Sequence, residues 1–85
     1  MGTRVVVFTA PGCHLCGPAV ETVRAVCGDH YTVVDITTDT ALERQYRERI
    51  PVVEVDGEPA FTYVVGAHAL RALLRKQIGA AEAPG

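Results

Sequence analysis

Two cysteines two residues apart, Cys13-His14-Leu15-Cys16, stand where a β-like run gives way to a helix-like one. Disulfide exchange needs two thiols that close a small ring, the first reachable from solvent and the second held behind it, and this spacing offers that geometry. A thiol near the first turn of a helix faces unpaired backbone N–H groups and the positive end of the helix dipole, settings that lower a cysteine pKa from ~8.5 to roughly 3.5–7.5. Cys13 is therefore the candidate nucleophile. Cys16, one turn later on the inward stripe, is the candidate resolving thiol, attacking a mixed disulfide on Cys13 and releasing the reduced substrate. The competing reading is a pair of packed cysteines. His14 has two readings of equal weight: a cation that stabilises the Cys13 thiolate when protonated, or an exposed first-turn side chain.

Cys13-x-x-Cys16 and Cys27-x-x-His30 also compose a Cys3His set, the inventory of a structural zinc site. A helix over residues 16–27 would separate the two pairs by roughly 16 Å at ~1.5 Å per residue, far beyond the ~2.0–2.3 Å bonds of one metal ion. No metal ligand is assigned, and Cys27 reads as an ordinary buried cysteine. Asp35 reads as a strand-end polar residue in preference to a carboxylate that moves the resolving thiol's proton, because it would share a face with Val33. His30 and His68 read as surface residues near element ends.

The elements that must hold these groups follow from periodicity. Arg4 to Thr9 is a continuous apolar, β-branched run, the pattern of a strand buried on both faces, and it ends at the breaker Ala10-Pro11-Gly12. Cys16, Ala19, Val20, Val23 and Cys27 then recur at three- and four-residue steps, an inward helical stripe that Gly28 stops. Pro18 has no N–H to pair with the His14 carbonyl, so the regular helix starts a residue or two late or kinks there. Tyr31 to Ile36 predicts a second strand, parallel to the first through a helical crossover. Thr40-Ala41-Leu42-Glu43 has capping-box spacing and opens a helix to about Arg49, with Leu42 and Tyr46 inward and Glu43/Arg47 and Arg44/Glu48 on a solvated face. Ile50-Pro51 interrupts it. Val52 to Val55 and Ala60 to Val65 predict two antiparallel strands joined at Asp56-Gly57, with Glu58-Pro59 suited to an edge. After Gly66 a last helix runs from about Ala67 to Ile78, with Ala67, Leu70, Leu74 and Ile78 inward. Element order thus predicts an α/β sandwich with one four-stranded mixed sheet, a single domain over residues 1–78, and a frayed, disordered tail over 79–85.

Bulk properties exclude several function classes. The 85-residue chain carries a formal charge of -2 and no basic stripe, so nucleic acid is not an expected partner. No apolar run approaches the ~20 residues of a membrane span, nothing resembles an export signal, and Val6 stands where a myristoylation signal needs Ser or Thr. A cytoplasmic monomer is expected, and its three cysteines point to redox or metal chemistry instead of a disulfide scaffold.

A strand ending in Phe8-Thr9, Pro11-Gly12-Cys13-x-x-Cys16 opening a helix, Ile50-Pro51-Val52-Val53 entering a strand, and Asp56-Gly57 in a hairpin together resemble glutaredoxin-like proteins of the thioredoxin fold. The likeness is to the small bacterial subgroup whose site reads Gly-Cys-x-Leu-Cys. It implies a glutaredoxin-type βαβ-α-ββα sandwich with three helices, and a thiol-disulfide oxidoreductase using Cys13 and Cys16. It also implies that Pro51 is cis and faces the cysteine loop, leaving the Ile50 backbone to pair with a bound substrate strand. Substrate contacts would come from Pro11, Gly12, His14, Leu15, Ile50, Pro51 and Gly66. The implied partners are a disulfide-containing protein or glutathione disulfide, with no tightly bound cofactor and with glutathione as co-substrate or a thioredoxin-type reductase as electron source. A non-catalytic module of the same fold, holding a partner, zinc or an iron-sulfur cluster through this loop, is the alternative.

The chain departs from the family pattern at the groups that hold glutathione. Ala10 replaces a lysine three residues before the first cysteine, Leu15 replaces an aromatic residue before the second, and Gly66-Ala67-His68 replaces a Gly-Gly-Asp signature. Arg4 and Arg49 are the candidates for compensating charge.

Overall fold

The Val5-Val6-Val7-Phe8-Thr9 run forms strand β1 (Val5–Thr9), apolar up to its last residue because the sheet continues on both of its edges and both of its faces are covered. The computed structural model describes residues 4–82. After β1 come α1 (Cys16–Cys27), β2 (Thr32–Asp35), a 3-10 turn (Ile36–Thr38), α2 (Thr40–Tyr46), β3 (Val52–Val55), β4 (Glu58–Thr62) and α3 (Ala67–Glu82). The sheet order is β2-β1-β3-β4, with β1 parallel to β2 and antiparallel to β3, and β4 antiparallel on the outer edge. The predicted α/β sandwich with one four-stranded mixed sheet and three helices is the architecture observed.

Strand alternation divides the core into two layers. Val5, Val7, Val53 and Val55 point to one face, where Ala19 and Val23 of α1 and Leu70 of α3 cover them. Phe8 and Val52 point to the other, against Ile36 and against Tyr46 of α2. Val7, Val23, Val52, Val53 and Leu70 have no exposed surface, each burial stabilising by about 1.5–3 kcal/mol. Val20 and Cys27, predicted inward, sit half-buried at the margin of the first layer.

Several boundaries differ from the sequence-based expectation, most of them for a local reason. α2 is capped by Asp39, not by a capping box on Thr40: Asp39 is extended, and its carboxylate accepts from the amides of Ala41 (2.8 Å) and Leu42 (3.4 Å). The same helix ends at Tyr46, where the Arg49 and Ile50 amides turn back onto the Tyr46 carbonyl at 2.8 and 3.1 Å ahead of Pro51. β2 stops at Asp35, whose carboxylate takes the Thr37 amide (2.9 Å) and hydroxyl (2.6 Å) to start the 3-10 turn. These bonds hold the Asp35 carboxyl below the usual carboxylate range. β4 begins at Glu58, directly after Asp56 (φ 54°) and Gly57 (φ 86°), the two positive-φ residues of a tight hairpin, and ends at Thr62 instead of Val65. Pro59 lies on this edge strand beside the bulge at Val53/Glu54. α3 continues past the predicted Ile78 to Glu82, and residues 83–85 of the predicted tail lie outside the described residues.

Tyr46 fixes α2 to the sheet. It is 2% exposed, packs on Phe8 with ring centroids 4.9 Å apart, and donates its hydroxyl to the Glu54 carboxylate on β3. Burial, with the Glu54 bond and charge adding to it against the pull of Arg49, pushes its phenol from the ordinary 10.0 up to about 12. The folded state therefore holds this proton more tightly than the unfolded chain, a contribution complete below pH 10 and lost as pH rises through about 12. Tyr46→Phe is expected to remove a late tyrosinate absorbance step near pH 12. Urea unfolding should show a loss of about 1.5–3 kcal/mol, the range for a hydrogen bond to a charged acceptor.

Candidate redox site

The cysteine loop is built by a turn and a delayed helix. The Cys13 amide donates to the Ala10 carbonyl at 3.3 Å, closing a turn over Pro11 and Gly12, and Gly12 has φ 80°. Proline second and a positive-φ residue third are the requirements of a type II turn. A Cβ at Gly12 would meet nothing within 4 Å, so glycine is needed for its backbone conformation alone. The regular helix then opens at Cys16, with Leu15 as an N-cap that lends no side-chain bond, and Cys13 lies three residues ahead of it. Pro18 explains the delay. As the third helical residue its missing N–H falls among the amides that have no helical acceptor, and the first amide bonded into the helix is Ala19, to the Leu15 carbonyl at 3.1 Å.

Cys13 and Cys16 are joined as a disulfide with Cα atoms 5.4 Å apart. They are unequal: Cys13 is half-buried at the loop and Cys16 is 6% exposed beneath it. Pro11, Gly12, His14 and Leu15 are exposed around them.

Strand register brings a second loop to this end of the sheet. Phe8 pairs with Val52 in antiparallel register, so the chain leaving β1 at Ala10 and the chain entering β3 at Pro51 are neighbours, and Ala10 and Ile50 pack on the same Phe8–Tyr46 layer. The Ile50-Pro51 peptide is cis and Pro51 is buried. The expectation of a wholly available Ile50 backbone needs correction, because its N–H is committed to the Tyr46 carbonyl at 3.1 Å. The Pro51 carbonyl is occupied too, by the Tyr63 amide at 2.9 Å.

Tyr63 and Val64, which sequence reasoning placed inside a strand, form the third wall. Tyr63 has φ 67° and the Val64 amide donates to the Thr62 carbonyl at 2.7 Å, a γ-turn of the strained, positive-φ kind. The Tyr63 hydroxyl donates to the Glu48 carbonyl at 2.8 Å, so this residue bonds the 48–51 segment at both ends. Leu15 (44% exposed), Tyr63 (49%) and Val64 (71%) meet Pro18 and Thr22 of α1 around a concavity of about 150 Å³ next to the helix start at Cys16. Gly66 is exposed, and its carbonyl takes the Leu70 amide at 2.8 Å to start α3.

The remaining sequence candidates lie elsewhere. Asp35 pairs with Thr9 at the neighbouring strand end, and its carboxylate is engaged by Thr37. Cys27 and His30 are at the opposite end of α1 from Cys16, and burial pushes the Cys27 thiol up. Among the described residues no three His, Cys, Asp or Glu side chains converge as a metal-ligand group.

A buried cysteine and a more accessible one thus stand at the head of a helix, at the same end of the sheet as the cis-proline loop. Residues 4–75 match the model of the glutaredoxin-like domain (DUF836). The chain belongs to this glutaredoxin-like family. A structural-genomics target protein from X. campestris is 32% identical, with 85% of this chain and 96% of that one covered at a TM-score of 0.72. A protein from Nitrosomonas europaea is 24% identical over 87% of this chain and 93% of its own, with a TM-score of 0.73. A mutant thioredoxin from Halobacterium salinarum NRC-1, 23% identical over 87% of this chain and 73% of its own, superposes at 0.62 and shows the thioredoxin-like fold. No curated protein matches the chain. The glutaredoxin-like fold with its cysteine pair at the first helix is compatible with redox function, and among the described residues no helix is long and apolar enough to cross a membrane.

Gly12→Ala places a Cβ at φ 80°, a strain of about 1–3 kcal/mol. A loss of that size in urea unfolding of the oxidised protein is the expected outcome, and an unchanged midpoint would contradict the turn assignment.

Proposed function

We propose that this glutaredoxin-like protein is a thiol-disulfide oxidoreductase that reduces protein or small-molecule disulfides by a dithiol mechanism, with Cys13 as nucleophile and Cys16 as resolving thiol. The unequal burial of the two bridged cysteines carries this reading. The Cys13 thiolate attacks one sulfur of a substrate disulfide; a Cys13–substrate bond forms as the substrate bond breaks, and the departing thiolate takes up a proton. Cys16 then gives up its proton and attacks the Cys13 sulfur, forming the Cys13–Cys16 bond and expelling the second substrate thiolate, which is protonated in turn. Two electrons and two protons pass to the substrate. A dithiol of a thioredoxin-type reductase, or two glutathione molecules, restores the reduced pair and is itself oxidised.

Pro11, Gly12, His14 and Leu15 would border the attacked sulfur. Pro51 and the Ile50 carbonyl would meet the substrate backbone from the facing loop, with Gly66 further along the rim. The protein would act as a monomer in the cytoplasm, without a resident cofactor. The test is a disulfide reductase assay run with NADPH in parallel, one arm supplied with glutathione and its reductase and the other with thioredoxin reductase. Turnover in at least one arm is expected, and the faster arm identifies the electron donor. Cys13→Ser should abolish it, and full activity in that variant would overturn the proposal.

A further inference from the structure

A second concavity, of about 390 Å³, lies where α2 turns toward the cis-proline, lined by Arg44, Gln45, Arg47, Glu48 and Arg49. Three guanidinium groups against one carboxylate leave its lining with a net positive charge. Arg44 and Arg47 are three apart, and Arg47 keeps helical dihedrals at the C-cap, so both sit on one face. The Tyr46 carbonyl at the helix end is engaged by the Arg49 and Ile50 amides, and the Glu48 carbonyl in the following turn by the Tyr63 hydroxyl.

The concavity adjoins the redox surface. Arg49 directly precedes Ile50 and the cis-proline, and the Tyr63–Glu48 bond ties this turn to the apolar wall formed with Leu15 and Val64. Because α1 and α2 cover opposite faces of the sheet, the apolar wall against α1 and the basic concavity at the end of α2 lie on opposite faces, and a substrate lying across the Pro51 loop has one on each side.

Resting on the redox reading above, we propose that Arg44, Arg47 and Arg49 form an acidic-residue subsite, and that the protein acts on polypeptide disulfides whose cysteine has an apolar residue on one side and acidic residues on the other. Arginine suits this role because its planar fork binds carboxylates in a bidentate manner.

The test uses peptides of one length, each with a single cysteine held as a mixed disulfide with thionitrobenzoate and an apolar residue on one side. The other side carries two aspartates in one peptide and two lysines in another. Reduced protein attacks the disulfide, and thionitrobenzoate release reports the second-order rate. The acidic peptide should react about tenfold faster than the basic one at low ionic strength, an advantage that shrinks in about 0.5 M salt. Arg44→Glu combined with Arg47→Glu should invert the ratio, a comparison made within one variant and so independent of its overall stability. Equal rates for the two peptides, or a preference that survives the double substitution, would overturn the subsite. Oxidised glutathione reacting faster than the acidic peptide, with the advantage lost in the double variant, would assign the arginines to a free tripeptide's carboxylates and overturn the polypeptide assignment. No reaction with any substrate would instead overturn the redox reading itself.

Discussion

The antiparallel pairing of β1 with β3 is the constraint on which the site depends. Phe8 opposite Val52 brings two segments more than forty residues apart in sequence to one end of the sheet, the cysteine turn leaving β1 and the cis-proline entering β3. The pairing holds because both strands lie between neighbours and bury valines on both faces, so a one-residue slip would turn Val53 and Val55 out of one layer and Val52 out of the other. Tyr46 reinforces it from the α2 side through Glu54, and the Asp56–Arg4 backbone bond of 2.8 Å closes the far end. The cysteine loop itself contributes little to this frame.

With the frame fixed, local chemistry differentiates two otherwise identical thiols. Gly12 lets the chain turn sharply out of β1, Pro18 delays the helix to Cys16, and the result leaves Cys13 at the loop while Cys16 is enclosed. Tyr63 then determines the opposite rim. Its positive φ is unfavourable for a residue with a Cβ, by about 1–3 kcal/mol, and it is held by bonds to the Pro51 and Glu48 carbonyls. That conformation is thus sustained by the same loop that carries the cis-proline.

Much of this was legible in the residues. The Val-rich run, the Asp56-Gly57 hairpin and the inward stripe of α1 follow from periodicity and turn chemistry, and the cis-proline was implied by the family likeness of Ile50-Pro51-Val52-Val53. What escaped was decided by tertiary hydrogen bonds. Tyr63-Val64-Val65 has the composition of a strand, and nothing local announces that Tyr63 breaks it to bond the 48–51 segment. The Ile50 amide is taken by Tyr46 because α2 ends early, a boundary set by Pro51 from the far side of the turn. Asp39 outcompeted Thr40 as a cap because its backbone is already extended, which a capping-box pattern does not encode. Arg44 and Arg47 are exposed, as a solvated face requires; that the turn after Tyr46 gathers them with Arg49 around one concavity is a tertiary feature that helical spacing does not encode.

The central claim is that Cys13 attacks and Cys16 resolves. Trapping the covalent intermediate tests it most directly: reduced Cys16→Ser and Cys13→Ser proteins are each mixed with a disulfide-bonded peptide, and the adducts are located by mass spectrometry after acid quenching. A stable peptide adduct on Cys13 in the Cys16→Ser protein, with none on Cys16 in the Cys13→Ser protein, is the predicted result. An adduct on Cys16, or none on Cys13, would contradict the assignment.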